Sequence, residues 1–267
     1  MPDTHRIIPG KPLELAGLAT RADRFHDNRK KAERQFKKLR ERLVDFQYRL
    51  YSEGKQKLLI VLQAMDAGGK DSTIRRVFEG TNPQGVRVAS FKAPSKRELA
   101  HDYLWRVHRE VPGNGMIGVF NRSHYEDVLI VRVASLVPEP VWQQRYEQIN
   151  QFEKLLAETG TTVVKFFLHI SKDEQKERME ERLSDPERHW KFSRDDLNKR
   201  AQWNDYMAAY QDALARCSTD YAPWYAIPAD QKWYRNLAIA TVLAETLAKM
   251  NPQYPPPEEG LEDIRVV

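Results

Sequence analysis

The segment Leu58-Leu-Ile-Val-Leu-Gln-Ala-Met-Asp-Ala-Gly-Gly-Lys-Asp-Ser-Thr73 joins an apolar strand, a glycine turn and the start of a helix. In a phosphate-binding loop, backbone N–H groups and a helix N-terminus converge on phosphate oxygens, and a lysine reaches the outer phosphates. The segment departs from the usual G-x-x-x-x-G-K-[ST] spacing at Ala64 and Asp71, and Asp66 adds a carboxylate inside the loop. It predicts a phosphate loop adapted to an unusual donor. The alternative is a chance Gly-Gly-Lys in a turn.

The composition indicates one large α/β domain with a highly charged surface. The chain has 267 residues, of which 41% are hydrophobic and 30% are charged, enough to bury a sizeable core. No apolar run is long enough to span a bilayer, and the first residues lack the apolar core of a signal peptide. The single cysteine, Cys217, permits no internal disulfide. These features predict a cytoplasmic protein that does not enter membranes.

Positive charge is concentrated near the start of the chain. The net charge is +5, and the segment from Arg21 to Lys57 alone holds thirteen Lys and Arg against six Asp and Glu. Such an excess attracts polyanions, namely nucleic acid, anionic membranes or a phosphate polymer. Charge alone favours the simpler interpretation, a solvated helix face.

Hydrophobic periodicity divides the chain into three parts. Residues 1–57 form an arm and a basic helix from about Asp23 to Leu50, whose apolar stripe predicts packing on its own domain, with a subunit contact as the alternative. Residues 58–250 alternate strands and helices, which predicts a parallel sheet covered on both faces. Residues 251–267 form an extended tail. The predicted strands are Leu58–Gln63, Val86–Phe91, Met116–Phe120, Thr162–Ile170 and Trp224–Ile227, and the predicted helices are Lys70–Glu79, Ser95–Arg109, Glu139–Glu158, Lys172–Leu183, Ser193–Cys217 and Asp230–Met250.

A second motif, Asn121-Arg-Ser-His-Tyr-Glu-Asp127, follows the third predicted strand. The functional residues of a parallel sheet lie beyond the carboxyl ends of its strands, so we expect this motif beside the phosphate loop. There Arg122 can neutralise phosphate oxygens, and a carboxylate can hold Mg²⁺ directly or through water. The alternative, a charged helix cap, is weakened by the neighbouring phosphate loop.

Five motifs in order resemble those of the family-2 polyphosphate kinases and cover nearly the whole chain, roughly from Phe36 to Tyr254. The motifs are Met65-Asp-Ala-Gly-Gly-Lys-Asp-Ser-Thr73, Thr81-Asn-Pro-Gln-Gly-Val86, Phe91-Lys-Ala-Pro94, Asn121-Arg-Ser-His-Tyr-Glu-Asp127 and Trp190-Lys-Phe-Ser193. The resemblance implies a thymidylate-kinase-like P-loop kinase fold, an α/β fold with a parallel sheet of about five strands, an N-terminal helical extension and a helical lid. It also implies Mg²⁺-dependent transfer of the terminal phosphoryl group of inorganic polyphosphate to a nucleotide. Glu126-Asp127 resembles the class III subgroup, which accepts both nucleoside monophosphates and diphosphates.

The segment at about 178–195 is a candidate lid over the phosphates. Arg178 and Arg182 lie one helical turn apart on the same face, and Lys191 follows. Between residues 176 and 200 there are eight Lys and Arg against seven Asp and Glu, so mutual salt bridges are the alternative to phosphate binding. In related kinases such a segment closes over the phosphates and excludes water.

The motifs and the resemblance together assign roles to individual residues. The expected catalytic residues are Asp66, Lys70, Arg122 and Asp127, of which Asp66 and Asp127 are the expected ligands of Mg²⁺ or Mn²⁺. The expected substrate-binding residues are Ala67, Gly68, Gly69, Lys70, Arg122, Glu126, Arg178, Arg182 and Lys191. The expected partners are inorganic polyphosphate, AMP, ADP and other nucleotides, with neither nucleic acid nor a membrane. The resemblance also implies a homo-oligomer.

Two other classes of protein share some of these features. An ATP-dependent kinase of a nucleotide or small metabolite has a similar loop, but it normally carries Ser or Thr at the position of Asp71. It also needs no long row of cations to bind its phosphate donor. A non-catalytic polyanion binder explains the basic segment near the N-terminus. That interpretation assigns no role to Asp66, Lys70 and Asp127, and the chain contains no recognised nucleic-acid module.

Overall fold

A computed structural model describes residues 2–261 and 264–266 of the chain. The apolar runs form five strands, β1 (Lys57–Gln63), β2 (Val86–Ser90), β3 (Ile117–Asn121), β4 (Thr161–His169) and β5 (Trp224–Pro228). All adjacent strands are parallel, in the order β2-β3-β1-β4-β5. Nearly every residue of β1, β4 and β5 is buried, as is typical of a sheet covered on both faces. The predicted parallel sheet of about five strands is confirmed.

The helices occupy the connections between the strands. They are α1 (Arg29–Glu53), α2 (Lys70–Val77), α3 (Lys96–Leu99), α4 (Trp105–His108), α5 (Ile130–Val133), α6 (Glu139–Glu158), α7 (Lys172–Ser184), α8 (Arg194–Ala201), α9 (Trp203–Cys217) and α10 (Lys232–Met250). Short 3₁₀ helices cover Pro2–His5, Leu15–Gly17, Pro83–Gly85, His124–Val128 and Pro186–Lys191.

These helices lie in two layers. α10 contacts both α1 and α2, whereas α6 and α9 contact each other. The connection from β1 through α2 to β2 runs towards one edge of the sheet, and the connections through α6 and α9 run towards the other edge. Because such connections are right-handed, α2 lies on the opposite face of the sheet from α6 and α9.

Several predicted helices differ in their limits for local reasons. α1 begins at Arg29 rather than near Asp23, because the Asn28 side chain accepts a hydrogen bond from the backbone of Lys31 and caps the helix. The helix predicted from Ser95 is two short helices, the first of which begins with a capping box between Ser95 and Glu98. The helix predicted from 193 to 217 is interrupted at residue 202, between α8 and α9. The short helix α5 was not predicted.

The N-terminal region belongs to the same core as the sheet. Leu43 and Leu50 of α1 are buried within it, and α1 packs on α10, which confirms the expected packing of this helix on its own domain. The backbone N–H of Ile7 donates to the carbonyl of Trp224 at 2.9 Å, so the arm covers the open edge of β5. The division at residues 57 and 250 remains a prediction, and residues 262, 263 and 267 of the predicted tail lie outside the described residues.

A fully buried polar network lies inside the sheet layer. Lys165 of β4 forms an ion pair with Glu153 of α6 and donates to the hydroxyl of Tyr125 at 2.8 Å. Glu153 also accepts from that hydroxyl at 2.9 Å and lies 3.1 Å from Nε2 of His124. The network therefore anchors the 3₁₀ helix that follows Arg122.

Within the part of the chain that the structure describes, no helix combines the length and the apolar character needed to cross a membrane.

Candidate active site

The predicted phosphate loop turns sharply between β1 and α2. Ala67 has a φ of 61° and Gly69 a φ of 98°, both in the left-handed region that favours glycine. A side chain on Gly68 would lie 2.5 Å from Cβ of Ala64 and 2.8 Å from the carbonyl oxygen of Met65, so glycine is required there. The turn ends at the N-terminus of α2, where the first backbone N–H groups have no partner within the helix. This arrangement suits an anion.

Lys70, the first residue of α2, is folded over the loop. It is buried, and its Nζ donates to the carbonyl of Ala64 at 2.8 Å. Burial first and Arg122 second lower the pKa of Lys70 to about 8, although Asp66, Glu126 and Asp71 act in the opposite direction. The ammonium therefore lies in the cavity wall with little competing solvent.

Asp66 is surrounded by cations. Arg122 approaches one carboxylate oxygen at 2.7 Å, and Lys199 of α8 approaches the other at 3.3 Å. Burial raises the pKa of Asp66, but Lys70, Arg122 and Lys199 together bring it below its ordinary value. The carboxylate is therefore ionised. Lys199 also pairs with Asp195 at 2.8 Å, which fixes its position.

The two predicted motifs meet at the carboxyl edge of the sheet. Leu62 of β1 pairs with Asn121 of β3, and the Asn121 amide donates to Asp71 at 2.7 Å. Arg122 has a φ of 62°, a conformation that costs energy in a residue other than glycine and that recurs at functional sites. The expected juxtaposition of the loop with Arg122 is therefore present.

The structure does not bring Asp127 to this cavity, contrary to its expected pairing with Asp66 at one cation. The Asp127 carboxylate forms an ion pair with Arg145 at 2.9 Å and does not line the cavity. Burial raises the pKa of Asp127 to about 6, although Arg145 opposes the shift. Glu126 also lies outside the lining, but its charge raises the pKa values of Lys70 and Arg122. Successive residues of a 3₁₀ helix point about 120° apart, so Glu126 and Asp127 diverge.

Arg178 supports the loop instead of standing free in a lid. It is buried, and its guanidinium donates to the carbonyl oxygens of Ala67 (3.1 Å), Ala229 (2.6 Å) and Asp230 (3.1 Å). Glu174, one turn earlier, accepts from its Nε at 2.7 Å. Its hydrogen-bonding capacity is thus directed mainly at the protein, which does not support its expected role as a phosphate ligand.

The remaining lid candidates also line the cavity. Arg182 donates to the carbonyl of Lys191 at 3.2 Å and lies 3.4 Å from Asp196. The Lys191 side chain lies beside Trp190, with Nζ 4.8 Å from the ring centroid. Trp190 is 78% exposed, which leaves its ring open to a ligand.

Together these elements enclose a cavity of about 850 Å³. Eleven cationic residues line it, namely Lys70, Arg75, Lys92, Arg122, Arg178, Arg182, Arg188, Lys191, Lys199, Lys232 and Arg235, against the five carboxylates of Asp66, Asp71, Glu181, Glu187 and Asp196. The cavity therefore presents a strong positive excess around the phosphate loop, as a polyanion site requires.

Sequence reasoning missed three side chains that hold the loop or line its cavity. Gln175 donates to the carbonyl of Asp66 across a separation of 109 residues, and Lys199 pairs with the carboxylate of the same residue. Neither has a local signal, because each partner is distant along the chain. Arg235 did have a local signal in the sequence, because its charge interrupts the apolar pattern of α10, and the structure buries it.

The residues present fit a magnesium ion only in part. Among the residues that the structure describes, no group of three or more His, Cys, Asp or Glu side chains is placed to hold a metal. Mg²⁺, however, commonly takes one or two carboxylates and completes its shell with waters and substrate phosphates. Asp66, an ionised carboxylate in the cavity wall, fits that mode of binding, whereas Asp127 does not reach the cavity.

Comparison with known proteins agrees with this geometry. The family described as Polyphosphate kinase 2 (PPK2) matches residues 26–255. The AMP/ADP-polyphosphate phosphotransferase of Meiothermus ruber is 58% identical over 226 residues, which are 85% of each chain. The ADP-polyphosphate phosphotransferase of Rhodopseudomonas palustris is 44% identical over 262 residues, 94% of this chain and 91% of the relative.

A solved structure shows the same architecture. The crystal structure of Polyphosphate Kinase 2 from Arthrobacter aurescens superposes with a TM-score of 0.93 at 41% identity, covering 98% of this chain and 94% of the other. The sequence match and the structural match both extend over most of the chain, so they include the loop, the Arg122 motif and the lid segment. The chain therefore belongs to the polyphosphate kinase 2 family.

Proposed function

We propose that this protein transfers the terminal phosphoryl group of inorganic polyphosphate directly to AMP and to ADP, with a bound Mg²⁺ ion. The observation that carries the proposal is the cationic wall around the phosphate loop. A wall with this many cations suits a phosphate polymer better than a single nucleoside triphosphate. The names of the relatives, which combine AMP or ADP with polyphosphate, support the same substrates.

In this proposal the loop and its neighbours stabilise the transferring phosphoryl group. Backbone N–H groups from Ala67 to Lys70 hold phosphate oxygens at the N-terminus of α2, and the Lys70 ammonium neutralises the transferring group. The Arg122 guanidinium, held by Asp66, neutralises an equatorial oxygen. Preorganised charge and alignment of donor and acceptor lower the barrier, so direct transfer needs no covalent enzyme intermediate.

Asp66 would hold the metal, which when bound neutralises charge on the phosphate oxygens. A strong general base is unnecessary, because the attacking phosphate of AMP or ADP is already largely ionised.

The acceptor would bind on the lid side of the cavity. Trp190 is the exposed aromatic side chain of the wall and can stack on a base without selecting its identity. Glu126 lies near Lys70 and Arg122, where its charge affects both cations, and we place it near the acceptor or its metal. Action in the cytoplasm and as a homo-oligomer remain predictions from the sequence.

The direct test supplies Mg²⁺, polyphosphate and AMP without ATP, and follows ADP and ATP by chromatography. We expect both products to form with the wild type and neither to form at a comparable rate with Lys70→Ala. If ATP and a small metabolite react while polyphosphate and nucleotide do not, the protein is an ordinary ATP-dependent kinase. If neither pair reacts but polyphosphate still binds, it is a polyanion-binding protein.

A further inference from the structure

Arg235 is a buried cation beside the phosphate loop that the mechanism above does not use. Its side chain is 1% exposed, yet it belongs to the cavity wall. Nη2 donates to the Oδ1 atom of Asn236 at 2.9 Å and to the hydroxyl of Ser72 at 3.2 Å. Among the residues that the structure describes, Nη1 has no hydrogen-bond partner. A buried guanidinium nitrogen left without an acceptor is costly, so its position needs an explanation.

The unpartnered nitrogen faces the glycine of the loop. A Cβ atom built on Gly69 would lie 2.1 Å from Nη1 of Arg235 and 3.3 Å from its Cζ. Gly69 is the N-cap of α2. Helix N-termini commonly bind a phosphate next to this position. Nη1 therefore occupies the space that a side chain at position 69 would need, and the glycine lets the guanidinium pack directly against the loop.

Within the described part of the chain, the charge of Arg235 is uncompensated. Among the described residues no carboxylate lies within ion-pair distance of its guanidinium, while Arg178 lies near enough to repel it. Burial first, and Arg178 second, lower the pKa of Arg235 to about 9. An uncompensated buried cation destabilises the protein until an anion reaches it. The missing counter-charge is therefore expected from a ligand in the cavity.

We propose that Arg235 is a further phosphate-binding residue of the donor site, whose Nη1 donates to an oxygen of the polyphosphate chain when that chain occupies the loop. The inference rests on the function proposed above. The donor is the better ligand because Lys232, one turn earlier on α10, and Arg75 of α2 line the same wall. A polymer that extends past the loop can contact Arg235 and these two cations together.

A purely structural role would explain less. The bond from Arg235 to Ser72 does tie α10 to α2, but that tie uses Nη2 alone. It accounts neither for the unpartnered Nη1 nor for the lack of a carboxylate near Arg235 among the described residues. The two roles also differ in their effect on the ligand-free protein. A structural arginine raises the stability of the ligand-free protein, whereas a phosphate-binding arginine without a counter-charge lowers it.

The test measures binding of inorganic polyphosphate without nucleotide or metal, so that no turnover occurs. For Arg235→Met we expect the Kd to rise about tenfold or more, as for loss of a charged hydrogen bond. The unfolding temperature without ligand should stay equal or rise. The KM for AMP should change less than twofold. Lys249→Met is the matched control, since it removes one exposed cation from the far end of the same helix.

Arg235→Lys supplies a second measurement if the methionine variant fails to fold. A lysine keeps the charge but cannot reach Asn236, Ser72 and a phosphate together, so the Kd should still rise about threefold or more. A wild-type Kd in both folded variants, or in Arg235→Lys alone if Arg235→Met does not fold, overturns the inference. A wild type that binds polyphosphate but phosphorylates no nucleotide would instead contradict the proposed function and leave this comparison of Kd values intact.

Discussion

At the scale of single residues, Lys70 links the site to pH. Its pKa is lowered to about 8, so the side chain is charged below that pH and becomes neutral above it. We therefore expect kcat/KM for polyphosphate to fall as the pH rises through about 8, because this parameter reports groups of the free enzyme. Lys70→Ala should lower kcat by about a hundredfold, as for loss of other preorganised charges. It should also abolish the decrease in kcat/KM as the pH rises through about 8. Near-wild-type turnover of a folded Lys70→Ala protein would remove the lysine from the mechanism.

Asp66 and Asp127 provide a paired test of the metal site. Asp66→Asn should raise the Mg²⁺ concentration needed for half-maximal activity and reduce turnover, because it removes the loop carboxylate that would hold the metal. Asp127→Asn should leave the Mg²⁺ titration near that of the wild type, since its carboxylate is occupied by Arg145 outside the cavity. Activity measured against Mg²⁺ concentration decides the matter. Equal shifts in the two variants would restore the original expectation that both residues bind the metal.

At the scale of elements, two cations of the lid segment should differ in how they affect the salt dependence of polyphosphate binding. Lys191 is expected to contact the polymer, whereas Arg178 holds the loop. A polyphosphate chain displaces counterions from each cation that it contacts, so its KM should rise more steeply with salt than the KM for AMP. Lys191→Ala should raise the KM for polyphosphate and reduce its log–log salt slope by about one. Lys176→Ala, a control on α7 whose side chain is exposed and outside the cavity wall, should leave the slope unchanged.

Arg178→Ala belongs to the same experiment but should behave differently. It removes donors from three backbone carbonyls, so the unfolding temperature and kcat should fall while the salt slope stays near the wild-type value. A flattened slope in a stable Arg178→Ala protein would show that this arginine contacts the polymer after all.

At the scale of the whole molecule, the buried Lys165–Glu153 pair supports the sheet beneath Arg122. Removal of one partner from a buried pair leaves an uncompensated charge, so Lys165→Met should destabilise the fold by about 3–5 kcal/mol. Adding Glu153→Gln neutralises that charge and keeps a side chain that can accept from Tyr125. The double variant should therefore be more stable than Lys165→Met alone. Urea unfolding followed by circular dichroism measures both, and a single variant within about 1 kcal/mol of the wild type would contradict this account.

Local patterns and motifs in the sequence were sufficient to predict the architecture and the family. All five strands were predicted, four of them from near-continuous apolar runs whose burial on both faces leaves a strong local pattern. The fifth, β2, lies at the edge of the sheet and is largely exposed. The loop at Ala64–Lys70 was recognised from its glycines and lysine between a strand and a helix, and the motif around Arg122 from its residue types and its place after the third strand. The relatives confirm the predicted family and its polyphosphate-driven phosphorylation of nucleotides. The metal, the oligomeric state and the cellular compartment remain predictions.

The packing of distant segments, in contrast, sets which side chains meet at the site. It turned Asp127 towards Arg145 and directed Arg178 to the loop carbonyls. It also brought Lys199 to Asp66 and Arg235 to Gly69. Sequence patterns report short-range preferences and the periodicity of burial, whereas ion pairs depend on distances of a few ångströms between segments far apart in the chain. Such distances are set by how the helices pack on the sheet, and no local pattern encodes them.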